Sequence, residues 1–343
     1  MAFAQDVLDL SAAKTGGTPA AFHVGRLPVR GDLILAPMDG VSDLPFRALA
    51  RQLGSAMSYT GFANAIEILN GSAHVGPVLA YEEFERPVVF QLFDDDPGRL
   101  LQAALKVRER NPDIIDINMG CSAKTVAGRG AGAGLLVEPK KIGQIFAALS
   151  RALDIPVTGK IRLGWDDESR NYLEVARTIE ENGGALVAVH GRTKKQGYTG
   201  RADWDAIAEV KAAVSIPVIG NGDVRSVADI DAMKEHTRVD GVMIGRGAME
   251  NPWLFQRLDR RQVPEEIVYA AIERQLAHSL RFYGAGRGLI LFRKFASRYL
   301  AAYDMEKSQR DALLTCEDPP AFLRRAGELL AEHPAFREPR ASG

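Results

Sequence analysis

The residues best suited to chemistry lie in one stretch, Ile114–Leu136, which reads IIDINMGCSAKTVAGRGAGAGLL. A short β-branched apolar run leads to Asn118 and Cys121, and the glycine-rich loop that follows is too flexible for a helix or a strand. The pattern predicts a buried strand that carries polar side chains at its carboxyl end. A cysteine there could be a nucleophile, a proton donor, a metal ligand or a packing residue, and the spacing alone leaves these alternatives open.

Eight short apolar runs recur through the first 245 residues, each followed by a polar or glycine-containing tip and then by a segment with helical spacing. The predicted strands are Leu33–Ala36, Ala56–Tyr59, Pro87–Gln91, Ile114–Asn118, Val157–Ile161, Leu186–His190, Pro217–Ile219 and Gly241–Ile244. This alternation is typical of a parallel (β/α)8 barrel. A doubly wound open sheet would also alternate, but no GxGxxG motif follows the first strand. We therefore predict an α/β fold with a TIM barrel over residues 31–255.

Three further regions are predicted outside the barrel. Residues 1–30 are expected to be a loosely ordered lead-in and residues 336–343 a tail. Only helical patterns follow Pro264, so residues 262–335 are predicted to form a small all-helical domain. Basic residues gather in part of this domain, namely Arg281, Arg287, Arg293, Lys294, Arg298, Lys307 and Arg310. Such a cluster suits a nucleic-acid phosphate backbone, although a solvated helix face gives the same pattern.

Composition narrows the class of protein. The formal net charge is −1, so any basic surface for nucleic acid must be local. The two cysteines, Cys121 and Cys316, lie in unlike surroundings, which favours a reducing compartment and a cytoplasmic protein. No apolar run reaches the roughly 18 residues that span a bilayer, so no membrane association is expected. No His, Cys and carboxylate cluster has the spacing of a metal site, so no metal is expected either.

The residues at the carboxyl ends of the predicted strands are expected to line a ligand site whatever the reaction, because barrels of this kind bind ligands there. The glycine tips IGNGD and IGRG follow the seventh and eighth strands, where exposed backbone N–H groups commonly hold a phosphate. Arg246 would add a charge-assisted bond. Lys160 either extends towards solvent or lies near an anion, and His190 suits packing as well as ligand contact. These tips predict a phosphate-bearing ligand at the top of the barrel.

Seven motifs then occur in order: LILAPMDGVSDLPFR, VVFQLF, IIDINMGCSAKTV, VTGKIRLGW, VAVHGRT, IPVIGNGDV and VDGVMIGRGAMENPW. Together they resemble the tRNA-dihydrouridine synthase family, and the bacterial B-type branch in particular. The resemblance covers about Gly31 to Tyr303. It continues into RFYGAGRGLILFRKFASRYL, which is similar to the family's C-terminal helical RNA-binding domain.

The resemblance implies an enzyme that binds FMN noncovalently, reduces it with NADPH and saturates the C5–C6 bond of particular uridines in tRNA. By position, it implies that FMN is bound by Pro37, Met38, Asp39, Gln91, Lys160, His190, Asn221, Gly222, Asp223, Gly245 and Arg246. Gln91 and Lys160 would meet the polar edge of the flavin. It also implies tRNA as the partner, held through Arg281, Arg287, Arg293, Lys294 and Arg298. No stable protein partner is implied.

Cys121 matches the family's catalytic cysteine, and Asn118 on the same tip would orient the target uracil. A thiol with an ordinary pKa of about 8.5 is mostly protonated near neutral pH, yet it is acidic enough to protonate C5 of the uracil. The resemblance therefore implies that Cys121 is a proton donor rather than a nucleophile.

Four positions depart from the family's usual pattern. Ser122 follows the cysteine where proline is usual, Gly61 replaces a glutamate, Asp39 replaces a small residue and Phe295 replaces a histidine. The alternatives are a non-catalytic FMN-containing tRNA-binding paralogue and an FMN oxidoreductase acting on a small pyrimidine or enone. A flavin-free aldolase or isomerase with Lys160 as a Schiff-base lysine is a third.

Overall fold

A parallel barrel occupies most of the computed structural model, which describes residues 19–303 and 305–332. In chain order the strands are β1 (Phe22–Val24), β2 (Leu27–Val29), β3 (Leu33–Leu35), β4 (Ser58–Tyr59), β5 (Ala63–Asn64), β6 (Val88–Phe93), β7 (Ile114–Met119), β8 (Val157–Arg162), β9 (Val187–His190), β10 (Val218–Asn221) and β11 (Gly241–Ile244). Neighbouring strands run β3-β11-β10-β9-β8-β7-β6-β4, all parallel, and β5 extends the pairing of β6. The ring closes between β3 and β4, where the Ala56 amide donates to the Leu33 carbonyl at 2.7 Å. The predicted TIM barrel is confirmed.

Helices cover the outside of the barrel and continue beyond its last strand. In chain order they are α1 (Leu44–Gln52), α2 (Ala65–Leu69), α3 (Val75–Val78), α4 (Pro97–Arg108), α5 (Lys124–Ala127), α6 (Pro139–Ala152), α7 (Tyr172–Glu181), α8 (Trp204–Ala213), α9 (Val227–Thr237), α10 (Arg246–Glu250), α11 (Glu265–Tyr283), α12 (Ala285–Tyr299), α13 (Lys307–Leu314) and α14 (Pro319–Glu332). Side chains at several helix starts accept bonds from first-turn amides, as Asp43 does from Phe46 at 3.1 Å and Asp96 from Arg99 at 2.7 Å. These caps satisfy amides that have no partner within the helix.

The core has two parts. One lies between the strands and the surrounding helices, and the other fills the inside of the barrel with residues such as Ile34, Val89, Ile219 and Met243. Both follow from strand alternation, which sends successive side chains to opposite faces.

The structure corrects the predicted loosely ordered lead-in at residues 22–29. Strands β1 and β2 form an antiparallel hairpin, turned at Gly25, whose φ is +57°. Phe22, Val24 and Val29 are buried in the interior cluster of the barrel, so the hairpin is packed there. Each of its two strands has only three residues, which is too short for an alternation of apolar and polar side chains to predict a strand from the sequence. Residues 1–18 of the predicted lead-in and the predicted tail at 336–343 lie outside the described residues.

The helical region packs directly on the barrel. Helices α11 and α12 are joined at Gly284, and the ring of Phe295 on α12 lies 4.7 Å from that of Phe46 on α1. Tyr299 similarly faces Trp253 at 6.0 Å. In the part of the chain that the structure describes, no strand follows Ile244 and no helix is long and apolar enough to cross a membrane.

Candidate active site

A cavity of about 660 Å³ opens at the carboxyl ends of the barrel strands. Its volume lies within the range of pockets for small molecules and cofactors. Twelve predicted site residues line it: Pro37, Met38, Asp39, Asn118, Cys121, Lys160, His190, Asn221, Gly222, Asp223, Gly245 and Arg246. Arg298, predicted to contact RNA, also lines it from α12. Residues from many separate segments therefore meet at one site, as parallel strand ends require.

Cys121 lies just after β7 and is partly buried. The side-chain oxygen of Asn118 accepts hydrogen bonds from the backbone amides of Gly120 at 3.1 Å and Cys121 at 2.9 Å. Burial raises the pKa of the Cys121 thiol and the Asp39 carboxylate adds to this, while the Ala123 amide and Arg162 oppose it. The thiol is therefore protonated at neutral pH, as a proton donor must be. Among the described residues, no group of three or more His, Cys, Asp or Glu could hold a metal ion.

Gln91 lies below the cavity instead of lining it. Its Nε2 donates to Asp116 at 2.7 Å, and its Oε1 accepts from the Asn118 amide group at 2.8 Å. Gln91 and Asp116 are both fully buried. In the structure, Gln91 thus supports Asn118 from underneath, whereas the sequence placed it at the edge of the flavin.

Lys160 reaches into the cavity from β8. Its ammonium group donates to the side-chain oxygen of Asn221 at 3.1 Å, and Asn221 in turn donates to the Met243 carbonyl at 2.7 Å. Burial and, after it, the nearby Arg162 lower the pKa of Lys160 to about 8, while Asp116 opposes both. Because burial penalises the ammonium form, an anion placed beside Lys160 would be strongly favoured.

His190 is buried among cations. Burial, followed by Lys160 and three arginines, lowers its pKa well below the usual range, so its imidazole is neutral at physiological pH. Arg192, itself buried, makes two bonds of 2.7 Å to the Asp223 carboxylate. Asp223 also accepts from the Ala202 amide at 2.7 Å. The carboxylate of Asp223 therefore holds Arg192 and the loop after β9 in place.

Glycines that follow β10 and β11 allow neighbouring segments to approach the backbone closely. Gly222 has a φ of +130°, and a Cβ there would lie 2.6 Å from Ala202. A Cβ on Gly247 would lie 2.3 Å from the Val224 carbonyl. Both positions require the close backbone approach that glycine allows.

The charge of the cavity suits an anionic ligand. Five cationic side chains line it, Lys160, Arg162, Arg225, Arg246 and Arg298, against only the carboxylates of Asp39 and Asp223. The chain as a whole has a formal net charge of −1, so this positive charge is local. The excess of cations, the glycine tips and the volume fit a phosphate-bearing cofactor such as FMN.

Several lining residues were missing from the sequence-based set. Arg162 donates to the Gly120 carbonyl at 2.8 Å, and the guanidinium groups of Arg162 and Arg246 lie 5.6 and 4.6 Å from the centre of the Tyr198 ring. Arg162 could have been predicted, since it follows Lys160 by two positions and shares its face of β8. Tyr198 and Phe62 lie in loops, where no periodicity marks them.

The predicted RNA-binding residues divide into two groups. Arg281, Arg287 and Arg298 are exposed, whereas Arg293 and Lys294 are only partly so. Arg293 donates to the Cys316 carbonyl, and Lys294 donates to the Gly40 carbonyl in the loop after β3. These last two therefore already have partners within the protein, and the exposed Arg298 has one as well, since its Nη1 donates to Glu250 at 3.3 Å.

The fold and the site together define a (β/α)8-barrel enzyme with a protonated thiol beside a cation-rich cofactor pocket. The sequence model described as dihydrouridine synthase (Dus) matches residues 34–332. The chain belongs to the dihydrouridine synthase family, so the predicted resemblance and the expectation of an oxidoreductase are confirmed.

The chain aligns with known relatives along most of their length. The chain is 37% identical to the tRNA-dihydrouridine synthase B of Pseudomonas aeruginosa, over 90% of this chain and 96% of that one. It is 38% identical to a probable tRNA-dihydrouridine synthase of Rhizobium leguminosarum bv. phaseoli, over 87% and 95%. Among solved structures, a histamine dehydrogenase from Rhizobium sp. 4-9 aligns with a TM-score of 0.52 at 11% identity. That alignment covers 74% of this chain and 50% of the dehydrogenase, and it shows the fold alone.

Proposed function

We propose that this protein reduces particular uridines of tRNA to 5,6-dihydrouridine in the cytoplasm, with FMN bound in the barrel cavity and NADPH as the reductant. The observation that carries the proposal is the meeting of a protonated Cys121 thiol and the Lys160 ammonium in one cation-rich cavity. The relatives named tRNA-dihydrouridine synthases support the same substrate.

The cavity residues have separate parts in holding the cofactor. Bound FMN, once reduced by NADPH, would supply a hydride to C6 of the uracil. Lys160 and Asn221 would hold the polar edge of the flavin, where a nearby cation stabilises negative charge. Arg246 and the glycine tips at Gly222 and Gly245 would hold its phosphate. The neutral imidazole of His190 would lie against the ring.

Cys121 completes the reduction. As a hydride adds to C6, the π electron pair of the C5=C6 double bond moves towards C5, and C5 takes the proton from the Cys121 thiol. The thiolate that remains is stabilised by the Ala123 amide and by Arg162, the two groups that lower its pKa. A proton from solvent then restores the thiol. During these steps Asn118 holds the backbone of Cys121 in place, because its side-chain oxygen accepts a hydrogen bond of 2.9 Å from the Cys121 amide.

The tRNA would be held by the helical domain while its target base enters the cavity. A uracil in a base stack cannot reach a barrel pocket, so the nucleotide must be extruded. Exposed Arg281 and Arg287 would contact phosphates, and Arg298 lies where the helical domain meets the cavity. Backbone contacts would thus determine which uridine is presented.

The test is to purify the protein, record its visible spectrum and incubate it with NADPH and unmodified tRNA, counting dihydrouridine by mass spectrometry. We expect a flavin spectrum and dihydrouridine from the wild type. Cys121→Ala should retain the flavin and lose at least about 100-fold in rate, the usual range for a general acid. Cys316→Ala, at a buried cysteine in the helical domain, is the matched control and should keep its activity. Flavin binding without dihydrouridine in any tRNA would favour the non-catalytic paralogue instead.

A further inference from the structure

A continuous chain of buried hydrogen bonds runs under the cavity and ends at the Cys121 loop. At its base, Asp116 accepts from the Thr158 hydroxyl at 2.6 Å and from the Gln91 amide group at 2.7 Å. Gln91 then accepts from Asn118 at 2.8 Å, and Asn118 accepts from the Cys121 amide at 2.9 Å. Asp116 itself does not line the cavity.

Strand register creates this chain. Gln91 is the direct partner of Asp116 across β6 and β7, and Asp116 is the direct partner of Thr158 across β7 and β8. Direct partners point to the same face of a sheet, so the three side chains form one polar row inside the barrel. Asn118 follows Asp116 by two positions and therefore stands one layer higher on the same face, towards the cavity.

The charge of Asp116 sets the direction of the hydrogen bonds at the base of this row, and the backbone amides of Gly120 and Cys121 set the same direction at its top. An ionised carboxylate can only accept hydrogen bonds, so Gln91 must turn its NH2 group downwards and its oxygen upwards. Asn118 must then turn its NH2 group towards Gln91, which leaves its oxygen facing the amides of Gly120 and Cys121. If Asp116 could also donate, Gln91 could flip and turn its NH2 group upwards. The amides of Gly120 and Cys121 only donate, so they keep the Asn118 oxygen towards the loop, and the Asn118 NH2 group would then lose its acceptor on Gln91 and its support from below.

We propose that Asp116 is a positioning residue that acts through Gln91 and Asn118 to fix the backbone of the Cys121 loop, and thereby the thiol that protonates the substrate. This inference rests on the proposed function for the purpose of the loop, but the hydrogen-bond chain can be tested without it. Asp116→Asn keeps the shape and volume of the side chain while adding a donor and removing the charge, so the upward orientation of the Gln91 oxygen is no longer imposed.

Hydrogen exchange followed by mass spectrometry measures how well these hydrogen bonds protect the amides of the Cys121 loop. In Asp116→Asn, amides in a peptide covering residues 118–123 should exchange roughly 3- to 10-fold faster, the effect of losing about one net hydrogen bond. Asp113→Asn makes the same chemical change before β7, where Asp113 accepts from the Val88 amide at 2.7 Å, and it should leave that peptide unchanged. Unchanged exchange in Asp116→Asn would overturn the proposal.

A second variant separates this route from an effect through Lys160, whose pKa Asp116 also influences. The Asn118→Ala variant already lacks the hydrogen bonds that link Gln91 to the Cys121 loop. Adding Asp116→Asn to this variant should therefore change neither the hydrogen exchange of the loop nor the turnover. A further loss of turnover in that background would show that Asp116 acts elsewhere, and would overturn the proposal.

In Asp116→Asn, turnover should fall without a loss of stability. We expect kcat for dihydrouridine to fall roughly 10- to 100-fold in Asp116→Asn, as for a small misplacement of a catalytic group, with KM for tRNA within about twofold. Burial raises the pKa of Asp116 to about 6, so its ionised form costs stability at pH 7.5, and the variant should melt no lower than the wild type there. A lower melting temperature with kcat unchanged would mean a purely structural role.

Faster loop exchange in a protein whose wild type makes no dihydrouridine would refute the proposed function while leaving the hydrogen-bond chain intact.

Discussion

A buried ion pair joins Arg47 on α1 to Glu85, and the side chains of the two residues are only 1% and 0% exposed. Arg47 Nε donates to Glu85 at 3.0 Å, and its Nη1 donates to the Ser42 carbonyl at 3.0 Å. The Ser42 hydroxyl in turn donates to the Ala36 carbonyl at 2.6 Å and accepts from the Met38 amide at 3.0 Å. Arg47 therefore supports the loop after β3 that lines the cavity.

Arg47→Met would leave the Glu85 carboxylate buried without its cation. Removing one partner of a buried ion pair costs about 3 to 5 kcal/mol. For roughly 300 residues unfolding together, the unfolding entropy is about 0.6 kcal/mol per kelvin, so the melting temperature should fall by about 5 to 8 °C. Adding Glu85→Gln removes the unpaired charge and should restore at least half of that loss.

Thermal unfolding followed by circular dichroism measures both values. The matched control is Arg108→Met, which removes an arginine whose guanidinium lies 2.7 Å from Asp154 in a pair with side chains 28% and 74% exposed. Exposed pairs contribute about 0 to 1 kcal/mol, so that variant should melt within about 2 °C of the wild type. If Arg47→Met shifted the melting temperature no more than Arg108→Met does, the reasoning from burial would be refuted.

Two further predictions concern the ligands. FMN affinity should fall as pH rises through about 8, because Lys160 is cationic only below its pKa of about 8; titration at pH 7 to 9.5 should show this in the wild type and not in Lys160→Gln. Arg281→Ala and Arg287→Ala should each reduce the slope of log tRNA affinity against log salt by about one, whereas Lys294→Ala, which loses its bond to the Gly40 carbonyl, should lower the melting temperature and leave the slope unchanged. An equal change of slope in all three variants would contradict the division of the basic residues.

The barrel could be predicted because its strands are apolar and its helices periodic, but several strand bounds differ from the predicted ones. Strand β11 was predicted with its observed bounds, Gly241–Ile244. Strand β6 was predicted to end at Gln91 but continues to Phe93, because Gln91 has buried hydrogen-bond partners and does not need solvent. A prediction from apolar runs ends a strand at its first polar residue, whereas the backbone of β6 continues past Gln91.

The same limit explains which site residues could be placed. Eight strand tips were enough to locate Cys121, Lys160 and the glycine loops at one cavity. The sequence contains no signal for partners that come from distant segments, so it could not show that Lys294 would bind the loop after β3. Nor could it show that Arg162 and Arg246 would both face Tyr198. Those contacts depend on how helices and loops pack, which local periodicity does not encode.

The N-terminal hairpin also has a consequence for biosynthesis. The ring of Phe22 lies against Gly241 on the last strand of the barrel, about 220 residues further along the chain. At roughly 5 to 20 residues per second, the ribosome needs about 10 to 45 s to make the chain between them. During that interval the apolar faces of Phe22, Val24 and Val29 have no barrel interior to enter. Strands β1 and β2 are therefore among the last to reach their final positions, and a nascent chain would expose them to chaperones until the last barrel strand is made.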